Sequence, residues 1–274
     1  SRERRDATVI GMALVVFAYH ALGARCLEFL IQRGESIAAV VTHRDDQGEP
    51  RWFESVADLA RAYRLPVFTP DSPNTPEFVD LLRDLAPTLL LSIMYRRLLF
   101  PELLAIPVLG AVNLHPSLLP EYRGRAPINW VLVNGETLTG VTLHHMVEEA
   151  DAGDIIAQEI VEIYPEDTAL TLSQKVEKSG VALFQRVYPL IAAGNAPRTP
   201  QDHARATRFG RRRPEDGLVR WDRSAAEIRN LVRAVTHPFP GAFVSFSGKR
   251  LFFWSAREDD HEAGDGPPGT LVAV

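Results

Sequence analysis

The chain has 274 residues, of which 46% are hydrophobic and 24% are charged. This composition is typical of a globular protein and excludes a collagen-like, disordered or disulfide-rich chain. The net charge of -5 favours neither a nucleic acid nor a membrane surface as a partner. The single cysteine, Cys26, cannot pair within the chain and favours a reducing, cytoplasmic location. We therefore expect small-molecule partners, while the sequence leaves open whether the protein forms a homo-oligomer.

The first half of the chain alternates apolar strands with helical patterns. Strands are predicted over 13–18, 37–42, 66–68, 88–93 and 110–114, and helices over 24–32, 55–63 and 77–85. Strands separated by helices of about ten residues indicate right-handed crossovers and a parallel sheet. We predict an α/β fold, with a mainly parallel, Rossmann-like twisted sheet that carries helices on both faces.

The pattern changes in the second half of the chain. We predict a hairpin of strands 140–146 and 154–163, helices over 171–192 and 225–234, and strands over 242–246, 250–255 and 270–274. Prolines and a basic run over 195–214 indicate a linker. The predicted organisation is a catalytic domain over 8–194, this linker, and a small β-rich C-terminal subdomain over 215–274. Because its last strand ends with the sequence, we expect that subdomain to be truncated.

The most informative stretch, residues 113–127, begins in the fifth predicted strand. Asn113 and His115 are two apart on an extended strand, so their side chains share a face near the carboxyl end, where parallel sheets bind ligands. An amide beside an imidazole can polarise a carbonyl and handle a proton, as acyl-type transfer requires. Asp151 follows in a glycine-containing loop, where a carboxylate can orient His115 and favour its charged form. Each motif alone is more often a turn or core feature, but their combination favours catalysis.

These three residues, with Ser117-Leu-Leu-Pro120 and an Arg-Gly-x-x-Pro segment between them, resemble the folate-dependent formyltransferase family. The resemblance extends from about Leu14 to Ser255. It implies that Asn113, His115 and Asp151 form the catalytic triad and that 10-formyltetrahydrofolate is the co-substrate. It also implies that the loop after the fourth strand and the Asp151 loop hold the folate, with candidate residues Met94, Tyr95, Arg96, Leu98, Asp151 and Asp154.

Further segments are similar to one branch of this family, the formyltransferase domain that acts on UDP-4-amino-4-deoxy-L-arabinose. They are residues 16–20, 129–136, 139–144, 209–212, 232–235 and 240–243. The resemblance implies that the acceptor is the primary amine of a nucleotide-linked amino sugar. The candidate acceptor-binding residues are Tyr19 and His20, which follow the first strand, and Arg123, Arg125 and Arg212, whose guanidinium groups match phosphate.

Related enzymes formylate an aminoacyl or amino-acid amine, including methionyl-tRNA or a secondary-metabolite precursor, or hydrolyse formyltetrahydrofolate. The negative charge disfavours tRNA, and we do not expect the extra N-terminal domain of the hydrolase. The intact triad disfavours an inactive nucleotide-sugar binding module. Adjacent His144 and His145 point to opposite faces of a strand and no zinc motif is present, so we expect no catalytic metal. The first loop lacks the Gly-x-Gly-x-x-Gly motif of NAD-binding proteins.

Overall fold

The computed structural model describes residues 12–45, 53–258 and 267–270. The chain forms two compact units, each assembled from segments that are distant in sequence. Unit 1 consists of Ser1–Leu114, Leu143–Ile156 and Phe184–Thr199. Unit 2 consists of His115–Thr142, Ala157–Leu183 and Pro200–Val274. The domain boundaries predicted from the sequence follow chain order instead, and they stay a prediction.

The strands of the structure agree closely with those predicted from the sequence. In chain order, the described strands are β1 (Leu14–Ala18), β2 (Ile37–Val41), β3 (Val67–Phe68), β4 (Leu89–Ile93), β5 (Ala111–His115), β6 (Arg123–Gly124), β7 (Leu138–His145), β8 (Ile155–Glu162), β9 (Arg208–Phe209), β10 (Ala242–Phe246) and β11 (Lys249–Phe253). All of them except β6 and β9 lie within two residues of a predicted strand. The last predicted strand, 270–274, lies outside the described residues apart from Thr270, which is not in a strand.

Seven of the described strands form one sheet in the order β3–β2–β1–β4–β5–β7–β8. The pairs β1–β2, β1–β4, β2–β3 and β4–β5 are all parallel. Every residue of β1 is 0% exposed, as a strand covered on both faces requires. In the C-terminal part, β10 and β11 pair antiparallel. These pairings confirm the predicted α/β class, with a mainly parallel sheet and a small β-rich addition.

The helices were predicted less completely. The described α-helices are α1 (His20–Gln32), α2 (Val56–Ala62), α3 (Pro76–Leu85), α4 (Pro101–Leu104), α5 (Pro127–Val133), α6 (Ala169–Ala192) and α7 (Ala225–Val235). Ser55 caps α2 by accepting a hydrogen bond from the Asp58 amide. The short helices α4 and α5 were missed, although each begins with a proline, which favours the first helical position.

Helix α1 begins four residues earlier than predicted, directly after β1. Gly23 explains why the first turn of α1 was not predicted and how that turn packs against β1. Glycine weakens the helical pattern in the sequence, but an added Cβ at Gly23 would lie only 3.2 Å from the Ala18 Cβ. The first turn of α1 can therefore approach the end of β1 closely, which places Tyr19 and His20 at the carboxyl edge of the sheet.

The segment 195–214, predicted as a linker, contains a strand of its own. β9 pairs in parallel with β6, with Arg123 opposite Arg208 and Gly124 opposite Phe209. Gly124 has a φ of +99°, and an added Cβ would overlap with the Phe209 carbonyl oxygen. Glycine is therefore required at this position both by its backbone conformation and by the close approach of β6 and β9.

No described helix is both long enough and apolar enough to cross a membrane.

Candidate active site

Two of the three predicted catalytic residues lie on β5. His115 is 4% exposed, and Asn113, two residues earlier, is partly buried and lies opposite Ser92 of β4 in the sheet register. The Asn113 Nδ2 atom is 3.0 Å from the Nε2 atom of His144, which lies on β7. The amide that the sequence analysis assigned to the formyl oxygen therefore has a fixed protein partner.

His144 is a residue of this site that the sequence analysis did not assign to it. Its side chain is buried, and its Nδ1 atom is 2.9 Å from the backbone oxygen of His145. Its Nε2 atom is also 3.6 Å from the Asp151 Oδ1 atom. His144 thus contacts one predicted catalytic residue and lies close to a second. The sequence signal for it was the alternation of β7, which placed the two histidines on opposite faces.

Asp151 lies in the loop between β7 and β8, with a φ of +58°. This left-handed conformation is uncommon for a residue other than glycine. The loop is held against β7, because the backbone amide of His145 donates to the backbone oxygen of Asp154 at 2.9 Å. An added Cβ on Gly153 would overlap with the His145 carbonyl oxygen. Gly153 therefore allows the loop to approach β7 and to present Asp151 to the site.

The imidazole of His115 has a backbone partner at the end of the following loop, directly before β6. Its Nε2 atom is 2.9 Å from the backbone oxygen of Tyr122. Nε2 donates this hydrogen bond, because a carbonyl oxygen only accepts. The Ser117 hydroxyl also donates to the Tyr122 oxygen, at 3.3 Å. Tyr122 itself has a φ of +58°. The predicted pairing of Asp151 with His115 stays a prediction.

The loop after β4 carries the residues predicted to hold folate. Met94 has a φ of +59°, which turns the chain sharply at the end of the strand. The Tyr95 ring stacks on His43 at 4.4 Å, and burial raises the pKa of Tyr95 to about 12. The Arg96 amide donates to His43 Nε2 at 3.0 Å, whereas Leu98 is 62% exposed. The loop thus combines an aromatic stack with a sharply turned backbone, and its role in holding folate stays a prediction.

Tyr19 and His20, two of the predicted acceptor-binding residues, adjoin this loop. The Arg96 guanidinium lies 4.5 Å from the centre of the Tyr19 ring, and the His20 ring lies 4.2 Å from that of Phe53. Burial, and secondarily the charge of Arg96, lower the pKa of His20 to about 4. His20 is therefore neutral near pH 7, so it can offer hydrogen bonds to a ligand but no positive charge to a phosphate.

The three predicted arginines lie in different environments. Arg123 is 2% exposed, and its Nη2 and Nε atoms donate to Gln201 Oε1 at 2.6 and 3.2 Å. This burial argues against a contact between Arg123 and the acceptor, because its guanidinium is held inside unit 2. Arg125 is exposed, while its backbone amide is fixed by the Phe209 oxygen at 2.9 Å.

Arg212 belongs to an aromatic stack within unit 2. Its guanidinium lies 4.6 Å from the centre of a Trp130 ring, and it donates to the backbone oxygen of Asp216 at 2.8 Å. Phe209 lies between Trp130 and Tyr122, with ring centroids 5.1 and 4.8 Å away. The stack fixes the position of Arg212 through contacts that use the face of the guanidinium group.

Asp154, predicted to contact folate, lies beside Arg198 with an Oδ2–Nη1 distance of 3.7 Å. Within the described ranges, no group of three or more His, Cys, Asp and Glu side chains is arranged to hold a metal ion.

The fold and the residues at the carboxyl ends of its strands define a Rossmann-like α/β protein with a small C-terminal β-structure. A family model described as "Formyl transferase" matches residues 12–188, and one described as "Formyl transferase, C-terminal domain" matches residues 212–274. The chain belongs to the formyl transferase family. The predicted family and the predicted class of enzyme are thereby confirmed.

Solved structures of formyltransferases share the fold. An N-formyltransferase from Helicobacter canadensis, in complex with folinic acid and dTDP-3-aminofucose, is 21% identical with a TM-score of 0.70, over 88% of this chain and 86% of that chain. A 4-N formyltransferase from Francisella tularensis is 22% identical with a TM-score of 0.73, over 90% of this chain and 98% of that chain. A methionyl-tRNA formyltransferase from Clostridium thermocellum is 17% identical with a TM-score of 0.63, over 92% and 95%. At these identities the similarity shows the fold alone.

The Asp151 loop gives a first prediction. Gly153→Ala should displace the loop from β7, because the new Cβ overlaps with the His145 carbonyl oxygen. A shift of about 1 Å in a catalytic group can lower turnover by about 100-fold, and kcat for formyl transfer measures this loss. Gly34→Ala is the control, since its Cβ meets nothing within 4 Å although its φ is +73°. That variant should lose stability but keep its kcat, and an equal loss of kcat in both variants would contradict the assignment.

His20 gives a second prediction, on the pH dependence of stability. Its pKa is about 4 in the folded chain and 6.5 in its ordinary state, so between these values the unfolded chain binds the extra proton. The free energy of unfolding should therefore fall as the pH drops through this window. His20→Gln should show a smaller fall between about pH 7 and about pH 4.5 in urea titrations. An identical fall in both proteins would show that His20 is not held neutral.

Proposed function

We propose that this protein transfers the formyl group of 10-formyltetrahydrofolate to the primary amine of a nucleotide-linked amino sugar. The observation that carries the proposal is the fixed Asn113 amide near the carboxyl end of β5, in a chain that belongs to the formyl transferase family. A carboxyl-end position is where parallel sheets bind ligands. A hydrogen-bond donor held there can meet the oxygen of a reacting carbonyl.

In the proposed reaction, 10-formyltetrahydrofolate supplies an activated formyl carbon. A bond forms between the acceptor nitrogen and this carbon, and the bond from the carbon to the folate nitrogen breaks. Negative charge develops on the formyl oxygen, which the Asn113 amide and an N–H group of His115 stabilise. Asp151 is assigned to orient the His115 ring. One proton leaves the acceptor amine and one reaches the folate nitrogen, by a relay through Asp151 and water.

The residues at the proposed folate site fit such a donor. Met94 turns the backbone at the end of β4, and Tyr95 presents an aromatic ring that stacks on His43. The similar structure from Helicobacter canadensis was solved with folinic acid, which supports a reduced folate in this family. We propose the same donor site here. We also propose a cytoplasmic location, on the single cysteine, Cys26, which is buried.

The nucleotide sugar is supported by the similar structures and by two arginines. The Helicobacter protein was solved with dTDP-3-aminofucose, and the sequence segments are similar to the branch that uses UDP-4-amino-4-deoxy-L-arabinose. A nucleotide diphosphate requires positive charge, which exposed Arg125 and the stacked Arg212 can provide. We assign Arg123 to the internal structure of unit 2 instead, since it is buried against Gln201.

The amine of an amino acid or an aminoacyl-tRNA is the second candidate acceptor. It is favoured by the shared fold of the methionyl-tRNA formyltransferase from Clostridium thermocellum. A mass-spectrometric screen with 10-formyltetrahydrofolate distinguishes the two. UDP- and dTDP-4-amino sugars should gain one formyl group, while free amino acids and methionyl-tRNA should not. Folate release without any acceptor would indicate a hydrolase, and ligand binding without turnover would indicate an inactive binding module.

Asn113→Ala tests the catalytic assignment. We expect kcat to fall by about 100-fold to 1,000-fold, because one hydrogen bond to the developing oxyanion is lost. The dissociation constant for folate should change little, since the amide acts mainly in the transition state. Stopped-time assays of kcat and a fluorescence titration with folate measure the two quantities. A variant with nearly full turnover would remove Asn113 from the mechanism.

Arg125→Ala tests the acceptor site. We expect KM for the nucleotide sugar to rise by about tenfold to a hundredfold with KM for the donor unchanged, since a charge-assisted hydrogen bond is lost. Arg205→Ala is the matched control, because Arg205 is also exposed and pairs only weakly at the surface with Glu121. Arg123→Ala should instead lower the melting temperature. Equal increases in both KM values for Arg125→Ala would contradict a role in acceptor binding.

A further inference from the structure

We infer that His144 is a positioning residue that fixes the orientation of the Asn113 amide for catalysis. The inference rests on the proposed function, because it assigns Asn113 to the formyl oxygen. His144 is 1% exposed, and its two ring nitrogens have separate partners within unit 1. Nδ1 is 2.9 Å from the His145 oxygen, and Nε2 is 3.0 Å from Asn113 Nδ2.

The partners of His144 determine its tautomer. The His145 carbonyl oxygen can only accept a hydrogen bond, so the proton must lie on Nδ1. In the neutral ring, Nε2 then carries a lone pair and accepts from the Asn113 amide. The Asp151 Oδ1 atom is 3.6 Å from Nε2, which is beyond ordinary hydrogen-bond distance. That separation agrees with an Nε2 atom that carries no hydrogen.

This tautomer selects one orientation of the amide. If the Asn113 side chain turned over, its Oδ1 atom would face the Nε2 lone pair, and two acceptors would oppose each other at about hydrogen-bond distance. An amide nitrogen carries two hydrogens, and His144 engages one of them. The second N–H is the donor that the proposed reaction assigns to the formyl oxygen. His144 therefore holds the donor side of Asn113 in place without contacting the substrate itself.

The backbone around His144 keeps this arrangement rigid. The carbonyl group that holds Nδ1 belongs to His145, whose amide donates to the Asp154 oxygen at 2.9 Å. Gly153 permits the same loop to approach this carbonyl closely. The loop that carries Asp151 thus also fixes the group that sets the His144 tautomer. One framework positions two of the three proposed catalytic residues.

Two substitutions of His144 separate a positioning role from a structural one. In His144→Gln, the Oε1 atom can take the place of Nε2 and accept from Asn113. In His144→Asn, the side-chain amide can still donate to the His145 oxygen, but it is too short to reach Asn113. We expect His144→Asn to lower kcat by about tenfold to a hundredfold, with both KM values within about twofold, and His144→Gln to recover most of this loss.

His145→Asn is the matched control. His145 is the neighbouring buried histidine, and its side chain bonds to the Pro197 oxygen at 3.1 Å. This variant keeps the backbone carbonyl that holds His144, so it should lower the melting temperature and leave kcat within about twofold. Equal losses of kcat in His144→Gln and His144→Asn, or a comparable loss in His145→Asn, would overturn the positioning role.

Nitrogen NMR of the resting enzyme tests the inference independently of turnover. A protonated Nδ1 and an unprotonated Nε2 in His144 support it, together with an Asn113 side-chain amide signal that shifts in His144→Asn but not in His145→Asn. A proton on Nε2 at neutral pH overturns it. If the wild-type enzyme formylates none of the tested amines, the proposed function fails, while the NMR result still decides whether His144 orients Asn113.

Discussion

Parallel pairing of β1 with β4, and of β4 with β5, is the constraint on which the rest of the site depends. β1 and β4 are buried throughout and apolar apart from Ser92, so the polar residues that follow them lie where these two strands end. The ladder continues one residue beyond β1, because the Tyr19 amide donates to the Ile93 oxygen at 3.0 Å. Directly after this hydrogen bond, the segments that follow β1 and β4 leave the extended conformation, with a φ of +65° at His20 and +59° at Met94. The edge of the ladder therefore sets where candidate ligand-binding residues begin.

Left-handed backbone conformations recur at residues of the proposed site and at Tyr122, which holds His115. His20, Met94, Tyr122 and Asp151 all have positive φ values without being glycine. Such conformations cost of order 1–3 kcal/mol each and persist only where surrounding contacts hold them. At Tyr122 these contacts are visible, because its amide donates to Thr207 Oγ1 at 2.8 Å and its carbonyl accepts from His115. The stability of the sheet and its loops offsets a local cost that shapes the site.

The sequence predicted what depends on local pattern and missed what depends on distant pairing. A continuous apolar run located β1 to within one residue, and a run broken only at Ser92 located β4 equally well, because a strand covered on both faces is mostly apolar. β6 and β9 are two residues each, too short for any periodicity, and they pair across 85 positions, as Arg123 and Arg208 show. The charge of Arg123 indicated a contact with phosphate, but Gln201 accepts its hydrogen bonds inside the unit. His144 was missed because a strand histidine is more often part of a core than of a site.

Tyr122 connects the proposed chemistry to the proposed choice of acceptor. Its carbonyl oxygen accepts from His115, while its ring stacks on Phe209 at 4.8 Å. Phe209 contacts Trp130, and Trp130 carries the Arg212 guanidinium on its face. A substitution that repacks this stack to suit another acceptor would therefore also move the carbonyl that holds His115. A change of acceptor is compatible with unchanged chemistry only where it leaves the Tyr122 backbone in place. The exposed side chain of Arg125 meets that condition, because its amide is bonded to Phe209 whatever the side chain contacts.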